Sequence, residues 1–520
     1  MSHQSLPEKR ILKESETRPM TKFLLNMSTA IALAALPNLA AANDTLDVVA
    51  QFEIQAPEPA TSGYIFTRMG IAETLVNADA DGNLTAGLAT AWATSEDRLS
   101  WTFTLRENVK FHDGTAMTPE TVLNALEIAR GKPGPLNDLP ITAISAQDGA
   151  IVVTLSEPVG ALPAYFAYFR YQILAPASYA PDGAGVAIIG TGPYQITQLE
   201  PPLSLDATAF ADYWGHAPHI ADVTYSGVSR VETRALIAES GEAEFVFGLD
   251  PASVARLDML DHVNVMAVDI PRTLLIKVNA GHPALSEPIA RRALSLGIDR
   301  AGIAKAVLRY PQGASQLFPP SIAGWHDDAL APLTYDPEEA RALLADLGWR
   351  TGEDGILTRE SERFTITLTT YPDRPELPLV AAVLEQQFRA IGVELIINTT
   401  NSSEIPAGHQ DGSLDLGLIA RNFSLIPDPI GTVRGDYVGN GDWGAMNWQN
   451  AEFANLVQAI ARGDGSNTHK AQAAAILQSE LPIIPIAWYQ QTLAVSDTVT
   501  GATVDPFERS FGLQEIRWSE

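Results

Sequence analysis

An α/β architecture with more than one lobe is the fold that this chain predicts, on three observations. The first is length: 520 residues exceed what one hydrophobic core organises, so two or three lobes are expected. The second is composition, 46% hydrophobic and 18% charged, which is that of a globular chain. The third is local pattern. Strand-like runs at Trp101 to Arg106, Ile151 to Leu155 and Phe364 to Thr369 alternate along the chain with helical segments such as Glu120 to Arg130 and Leu379 to Ile391.

From the N-terminus, Met20-Thr21-Lys22 precedes a mostly apolar run from Phe23 to Leu39, and then Ala40-Ala41-Ala42 satisfies the small-x-small rule for signal-peptide cleavage. Residues 1–42 are read as an N-terminal extension and signal peptide, cleaved after Ala42. Met1 to Pro19 carries both charge signs, unlike a signal n-region, which makes Met20 an alternative start. Asn26, Ser28 and Thr29 interrupt the apolar run and Pro37 ends it short of a membrane span. Cleavage would remove five basic and three acidic residues and take the formal net charge from −28 to −30. Such a charge argues against nucleic acid as a partner, since no segment offers a basic stripe for phosphates. The absence of cysteine excludes a disulfide framework, a cysteine nucleophile, thiolate metal ligation and a lipid-anchored cysteine. A soluble periplasmic protein is the expectation.

Trp101, Phe103 and Leu105 alternate with Thr102, Thr104 and Arg106, the period of a half-buried strand. Asp113-Gly114 closes a turn. Thr118 then supplies an N-cap with Pro119 at the first helical position, and Gly131 stops the helix. Farther on, Asp336 caps a second helix, Glu339 is placed to complete a capping box, Ala340, Leu343, Leu344 and Leu347 form one apolar face, and Gly348 ends it. Signatures of catalysis are missing: the chain has no nucleophile elbow, P-loop, dinucleotide fingerprint or zinc-protease motif. His216 and His219 have metal-pair spacing, but they flank Ala217-Pro218 in a segment read as a surface loop, so no metal site is assigned.

Several motifs, in order, carry a family resemblance. Gly82, Leu88, Ala89, Trp92, Trp101 to Arg106 and Val109 to Gly114 come first; Gly190-Thr191-Gly192-Pro193-Tyr194, Tyr213-Trp214-Gly215, Ala290 to Leu294 with Ile298-Asp299-Arg300, and Tyr335 to Trp349 follow. The chain resembles the extracellular solute-binding proteins of family 5, which serve peptide, nickel and opine ABC importers. The resemblance implies a two-lobed periplasmic binding protein fold, type II and cluster C-like, with mixed sheets and an extra subdomain in the first lobe. Lobe I would hold 43–270, with the subdomain at about 96–215; lobe II would hold 271–486; and 487–520 would return to lobe I. Ile270-Pro271 and Pro485-Ile486 would be the hinges. The function implied is capture of a small anionic or zwitterionic organic ligand, of peptide, opine or metal-chelate type, for delivery to an inner-membrane permease and ATPase. The protein would act as a monomer, without cofactor and without catalysis. A secreted hydrolase of peptides or glycoconjugates, and a periplasmic sensor or chaperone on the same fold, are the alternatives.

A cleft for such a ligand needs a few polar groups among aromatics. Arg170 stands alone within Tyr165 to Ala175, and its planar fork suits a carboxylate; the alternative is an arginine paired within the protein. By the same resemblance, the second segment is Arg421 to Pro429, where Asp428-Pro429 matches a family turn. Peptide-binding relatives carry an aspartate where this chain has Leu425, which cannot receive an ammonium group. The nickel-binding branch keeps an arginine at Arg421 but uses a downstream histidine, and Val433 to Trp448 contains none. A carboxylate-rich ligand is therefore expected, held by Arg170 with Arg421 or Arg434. Tyr64, Phe66, Phe423, Tyr437 and Trp443 are the aromatics expected to line the cleft, each alternatively a core residue.

Overall fold

Two long strands organise the molecule. Val263–Val278 and Ile483–Ser496 pair antiparallel in a ten-stranded mixed sheet, and both are rich in Val, Ile and Leu, as strands buried on two faces are. A computed structural model describes residues 44–372 and 374–520; the expected signal segment lies outside them. On one side of the central pair the sheet continues through Phe245–Phe247, Thr45–Ala50, Asp222–Gly227, Ser204–Ala209 and Tyr194–Glu200. On the other it continues through Leu416–Asn422, Thr365–Thr370 and Glu394–Thr399.

The pairing of the two long strands is interrupted once near their middle. Asp269 faces Gln490 and Thr273 faces Trp488, so Ile270, Pro271 and Arg272 oppose Tyr489 alone. Pro271 has no N–H to give to a ladder, which favours a break there. A second irregularity follows, where Leu274 and Leu275 face Ala487 and Pro485.

Hydrophobic cores form on either side of this interruption. One draws on Leu274 to Ala487 and includes Trp325, Phe364, Phe388 and Phe423, all fully buried. Another joins Leu46, Phe66, Tyr194 and Tyr225 to the C-terminal Phe511 and Ile516. A smaller cluster around Ala235, Val246 and Leu257 flanks it. A further core, from Leu75 to Ala175, belongs to a four-stranded sheet of Ala89–Thr94, Ser100–Leu105, Ala150–Leu155 and Ile141–Gln147, packed against the helix Pro119–Arg130. This body begins earlier and ends sooner than the expected 96–215, because Tyr194–Glu200 and Ser204–Ala209 join the large sheet instead.

Local sequence signals translate into elements where the chemistry is local. Ser100–Leu105 is a strand with Phe103 and Leu105 inward. Thr118 caps Pro119–Arg130 through a hydrogen bond from the Thr121 N–H, and Gly131 ends that helix. Asp336 caps Pro337–Asp346 by accepting from the Glu338 and Glu339 N–H groups at 3.1 and 2.9 Å. The expected capping box does not form there, because the Glu339 side chain accepts a bond from Arg292 at 2.9 Å instead.

Candidate functional site

The helix Pro59–Arg68 faces two environments. Tyr64, Thr67 and Arg68, at i, i+3 and i+4, line a cavity of about 320 Å³. Its other walls are Glu73, Asn77, Phe169, the segment Phe507 to Ser510, and Leu425. Leu425 follows the strand Leu416–Asn422 and is 46% exposed, so the cavity is lined from both sides of the interrupted strand pair. Tyr64 stands edge-on to Phe52 and Phe169, with centroids 5.2 and 5.5 Å away.

Beside this cavity, four segments distant in sequence bring together a group rich in arginine. Arg68 Nε donates to the Glu508 carbonyl at 2.5 Å, and Arg272 donates to Glu508 Oε2 at 2.7 Å. Arg272 and Arg374 both lie over the Tyr489 ring, 5.3 and 5.2 Å from its centroid. Arg68 sits among Phe52, Tyr64, Phe247 and Phe511, and its Nη1 is buried without a hydrogen-bond partner. Burial pushes the Glu508 carboxyl up, but Arg272, Arg68 and Arg374 outweigh it and hold the group below the usual carboxylate range. Arg272 comes from the interrupted stretch of the long strand and Glu508 from the C-terminal segment, so these charges meet where the strand pairing breaks.

Next to them, Glu73 explains why several of the sequence motifs occur together. Its carboxylate accepts from Thr191 Oγ1 at 2.8 Å, Trp214 Nε1 at 2.9 Å and the Tyr213 hydroxyl at 3.2 Å. Arg106, at the end of the aromatic strand, lies 3.8 Å over the Trp214 ring and donates to the Gly87 carbonyl. Gly190 and Gly192 let the backbone pass the chain at Gly70 to Ala72: a β-carbon at either would stand 2.1 or 2.2 Å from a carbonyl oxygen. Burial raises the Glu73 carboxyl to about 7 against the three donors.

The residues singled out from sequence are not gathered into one place. Tyr64 alone among them lines the cavity with Leu425. Phe66, two positions along the same helix, points the other way and is fully buried in the core. Arg170, on the short turn Phe169–Tyr171, donates to the Pro133 carbonyl at 2.8 Å and borders a separate recess with Lys132, Glu58 and Tyr179. Arg421 is engaged by Asp436 through two bonds of 2.6 and 2.9 Å, which neutralise it. Phe423 is fully buried and stands edge-on to Phe318, with centroids 5.1 Å apart. Asp428 accepts from the Ile430 N–H at 2.8 Å and so starts the helix Ile430–Tyr437. Tyr437 is buried against Phe453, and Trp443 packs on the same core. Arg434 borders a second cavity, of about 480 Å³, with Tyr165, Asp138, Glu157 and Arg462. His216 Nε2 donates to the Glu515 carboxylate at 2.7 Å, and among the described residues no cluster of ligating side chains suits a metal ion.

Sequence reasoning missed Arg68, Arg272, Arg374 and Glu508. One signal was present: Arg272 follows Pro271, at the place already expected to be a hinge.

The geometry is that of a two-lobed α/β binding protein, and solved structures share it over nearly the whole chain. NikA from Brucella suis, solved with Fe(III)-EDTA, superposes with a TM-score of 0.84 at 21% identity, covering 91% of this chain and all of that one. A nickel ABC transporter protein from Bacillus halodurans gives 0.77 at 24% identity, covering 91% and 99%. The family model described as bacterial extracellular solute-binding proteins, family 5 middle, matches residues 83–442, and the chain belongs to that family. Among curated relatives, the glutathione-binding protein GsiB of Salmonella typhimurium strain LT2 is 25% identical over 506 residues, covering 93% of this chain and 96% of its own. Family 5 members are solute-binding components of ABC importers and not enzymes, so neither the hydrolase nor the sensor reading is favoured. No helix among the described residues is long and apolar enough to cross a membrane.

Proposed function

We propose that this protein captures a small organic ligand bearing at least one carboxylate, anionic or zwitterionic, in the cavity between Tyr64 and Leu425, and delivers it to an inner-membrane permease. The observation that carries this reading is the arginine group beside that cavity: Arg68, whose Nη1 is buried without a hydrogen-bond partner, meets Arg272 and Arg374 near Glu508, with Glu376 also beside Arg374. A cation held in such a place is costly unless it meets an anion, and the guanidinium fork suits a carboxylate. Glutathione, the ligand named for GsiB, and metal chelates, as in the NikA complex, both belong to this chemical class.

The interrupted stretch Ile270 to Arg272, opposite Tyr489, serves as the hinge, with lobe I before it and after Tyr489 and lobe II between. The mature chain is a monomer that begins after Ala42 and carries no lipid, having no cysteine. Ligand binding to the native state alone must raise stability, by about 2.7 kcal/mol at a hundredfold excess over Kd. Thermal unfolding is measured against glutathione, dipeptides, opine-type imino acids and Ni(II)-histidine, each at 1 mM or about that concentration. A rise in Tm for a carboxylate-bearing member, absent for its amide or ester, is expected; no rise with any member would refute the reading.

A further inference from the structure

We propose that the C-terminus of the helix Ala451–Arg462 is a latch that holds the two lobes together, and that Arg98 and Gly160 set how much of the protein is closed and thereby its ligand affinity. The inference rests on the reading of two lobes that close, but not on the identity of the ligand.

The last carbonyls of any helix lack partners within it. Here two of them are satisfied across the gap between the body built on the Leu75 to Ala175 core and the body built on the Leu274 to Ala487 core. The Gly160 N–H donates to the Ala461 carbonyl at 2.9 Å, and Arg98 Nη1 reaches the Arg462 carbonyl at 3.3 Å. The same Arg98 nitrogen bonds Asp464 at 2.7 Å, and Arg462 lies 3.6 Å from Glu157. A cation at the helix C-terminus also meets the negative end of the helix dipole.

Two backbone features fit this contact closely. Gly160 lies so near Gly463 that a β-carbon on it would stand 2.5 Å from the Gly463 Cα and 2.8 Å from its nitrogen. Both obstacles are backbone atoms, so they cannot swing aside. Arg98 has φ +59, a left-handed conformation that an arginine adopts at a cost, in the turn between Ala89–Thr94 and Ser100–Leu105. Asp97 holds that turn by accepting from Ser95 Oγ at 2.6 Å and the Leu99 N–H at 3.0 Å, and the arginine projects from it onto the other body. Glycine would suit the turn better, whereas an arginine there makes the contact to Arg462 and Asp464.

The chain has no cysteine, so paired spin labels can be placed at will. Asp148→Cys and Glu353→Cys put one exposed label on each body, and their distance distribution is read by pulsed electron resonance on the ligand-free full chain. Arg98→Gly relaxes the turn while removing the latch, and Gly160→Ala introduces the clash without requiring an unusual φ. The loss of one or two hydrogen bonds corresponds to about a two- to tenfold drop in the ratio of short to long distances. That drop in Arg98→Gly, with a larger one in Gly160→Ala, is the expected result. A distribution unchanged by Arg98→Gly overturns the proposal. Because no ligand is added, a failure to find the physiological ligand leaves this outcome readable, and a failed latch leaves the ligand-binding reading intact.

Discussion

Glu73 offers a quantitative test of how the family motifs work, since its carboxyl is raised from 4.5 to about 7 by burial while three donors from the motif segments oppose the shift. A carboxyl whose folded pKa is raised contributes stability that is fully present below its unfolded pKa and is lost as pH rises through the folded one. The interval from 4.5 to about 7, at about 1.4 kcal/mol for each pH unit, corresponds to about 3 kcal/mol lost between pH 4.5 and pH 8. In a chain of this size that is about 3 °C in Tm. Glu73→Gln removes the titration but keeps the shape and an acceptor oxygen. With the amide nitrogen at the position of Oε1 it can donate to the Tyr213 hydroxyl, while the amide oxygen still accepts from Thr191 and Trp214. Its stability relative to the parent should then rise by about 2.5 kcal/mol between pH 5 and pH 8, measured by urea unfolding at both values. Parallel pH dependences for parent and variant would refute the buried-carboxyl account of this junction.

Other expectations follow from where particular side chains sit. Phe66→Ala should cost about 3–5 kcal/mol by opening a core cavity, whereas Tyr64→Ala should cost less than half of that and instead weaken ligand binding; urea unfolding and calorimetric titration separate the two effects. Leu425→Asp lies on an exposed cavity wall, so stability should change by no more than about 0.5 kcal/mol. Binding should nevertheless shift about threefold or more toward ligands with a free ammonium group, read as the affinity ratio of a dipeptide to its N-acetyl form. Gly192→Ala should destabilise by more than about 2 kcal/mol, because the new methyl meets the Gly70 carbonyl, and circular dichroism melts would register it.

Much of the fold was legible because its signals are local. Thr118, Pro119 and Gly131 specify the ends of one helix through bonds made within a few residues, and the alternation from Trp101 to Leu105 needs only the neighbouring strands to be realised. The Glu339 capping box failed for the opposite reason: Arg292, 47 residues away, offered a charged partner. The site was harder to read. Tyr64 and Phe66 look equivalent in sequence, and only the phase of their helix sends one to the cavity and the other to the core.

Arginines posed the same difficulty in a stronger form. Arg421 stands near the expected turn, but Asp436 on the following helix takes its Nε and Nη2 donors in one bidentate pair. Arg170 is held by a carbonyl 37 residues distant. Arg68, Arg272 and Arg374 come from separate segments and converge only when the long strands pair and the C-terminal segment brings Glu508 beneath them. No spacing rule connects these residues. The expected chemistry, a carboxylate held by arginine, thus remains the proposal, with different arginines supplying it.

Whether the protein carries an organic carboxylate is read by native mass spectrometry of the full chain isolated from its own periplasm. A one-to-one complex with a carboxylate-bearing organic molecule or its metal chelate is expected, depleted in the Arg272→Ala variant purified in the same way. A bare chain in every preparation, still bare after incubation with glutathione, dipeptides and metal chelates, would contradict that expectation.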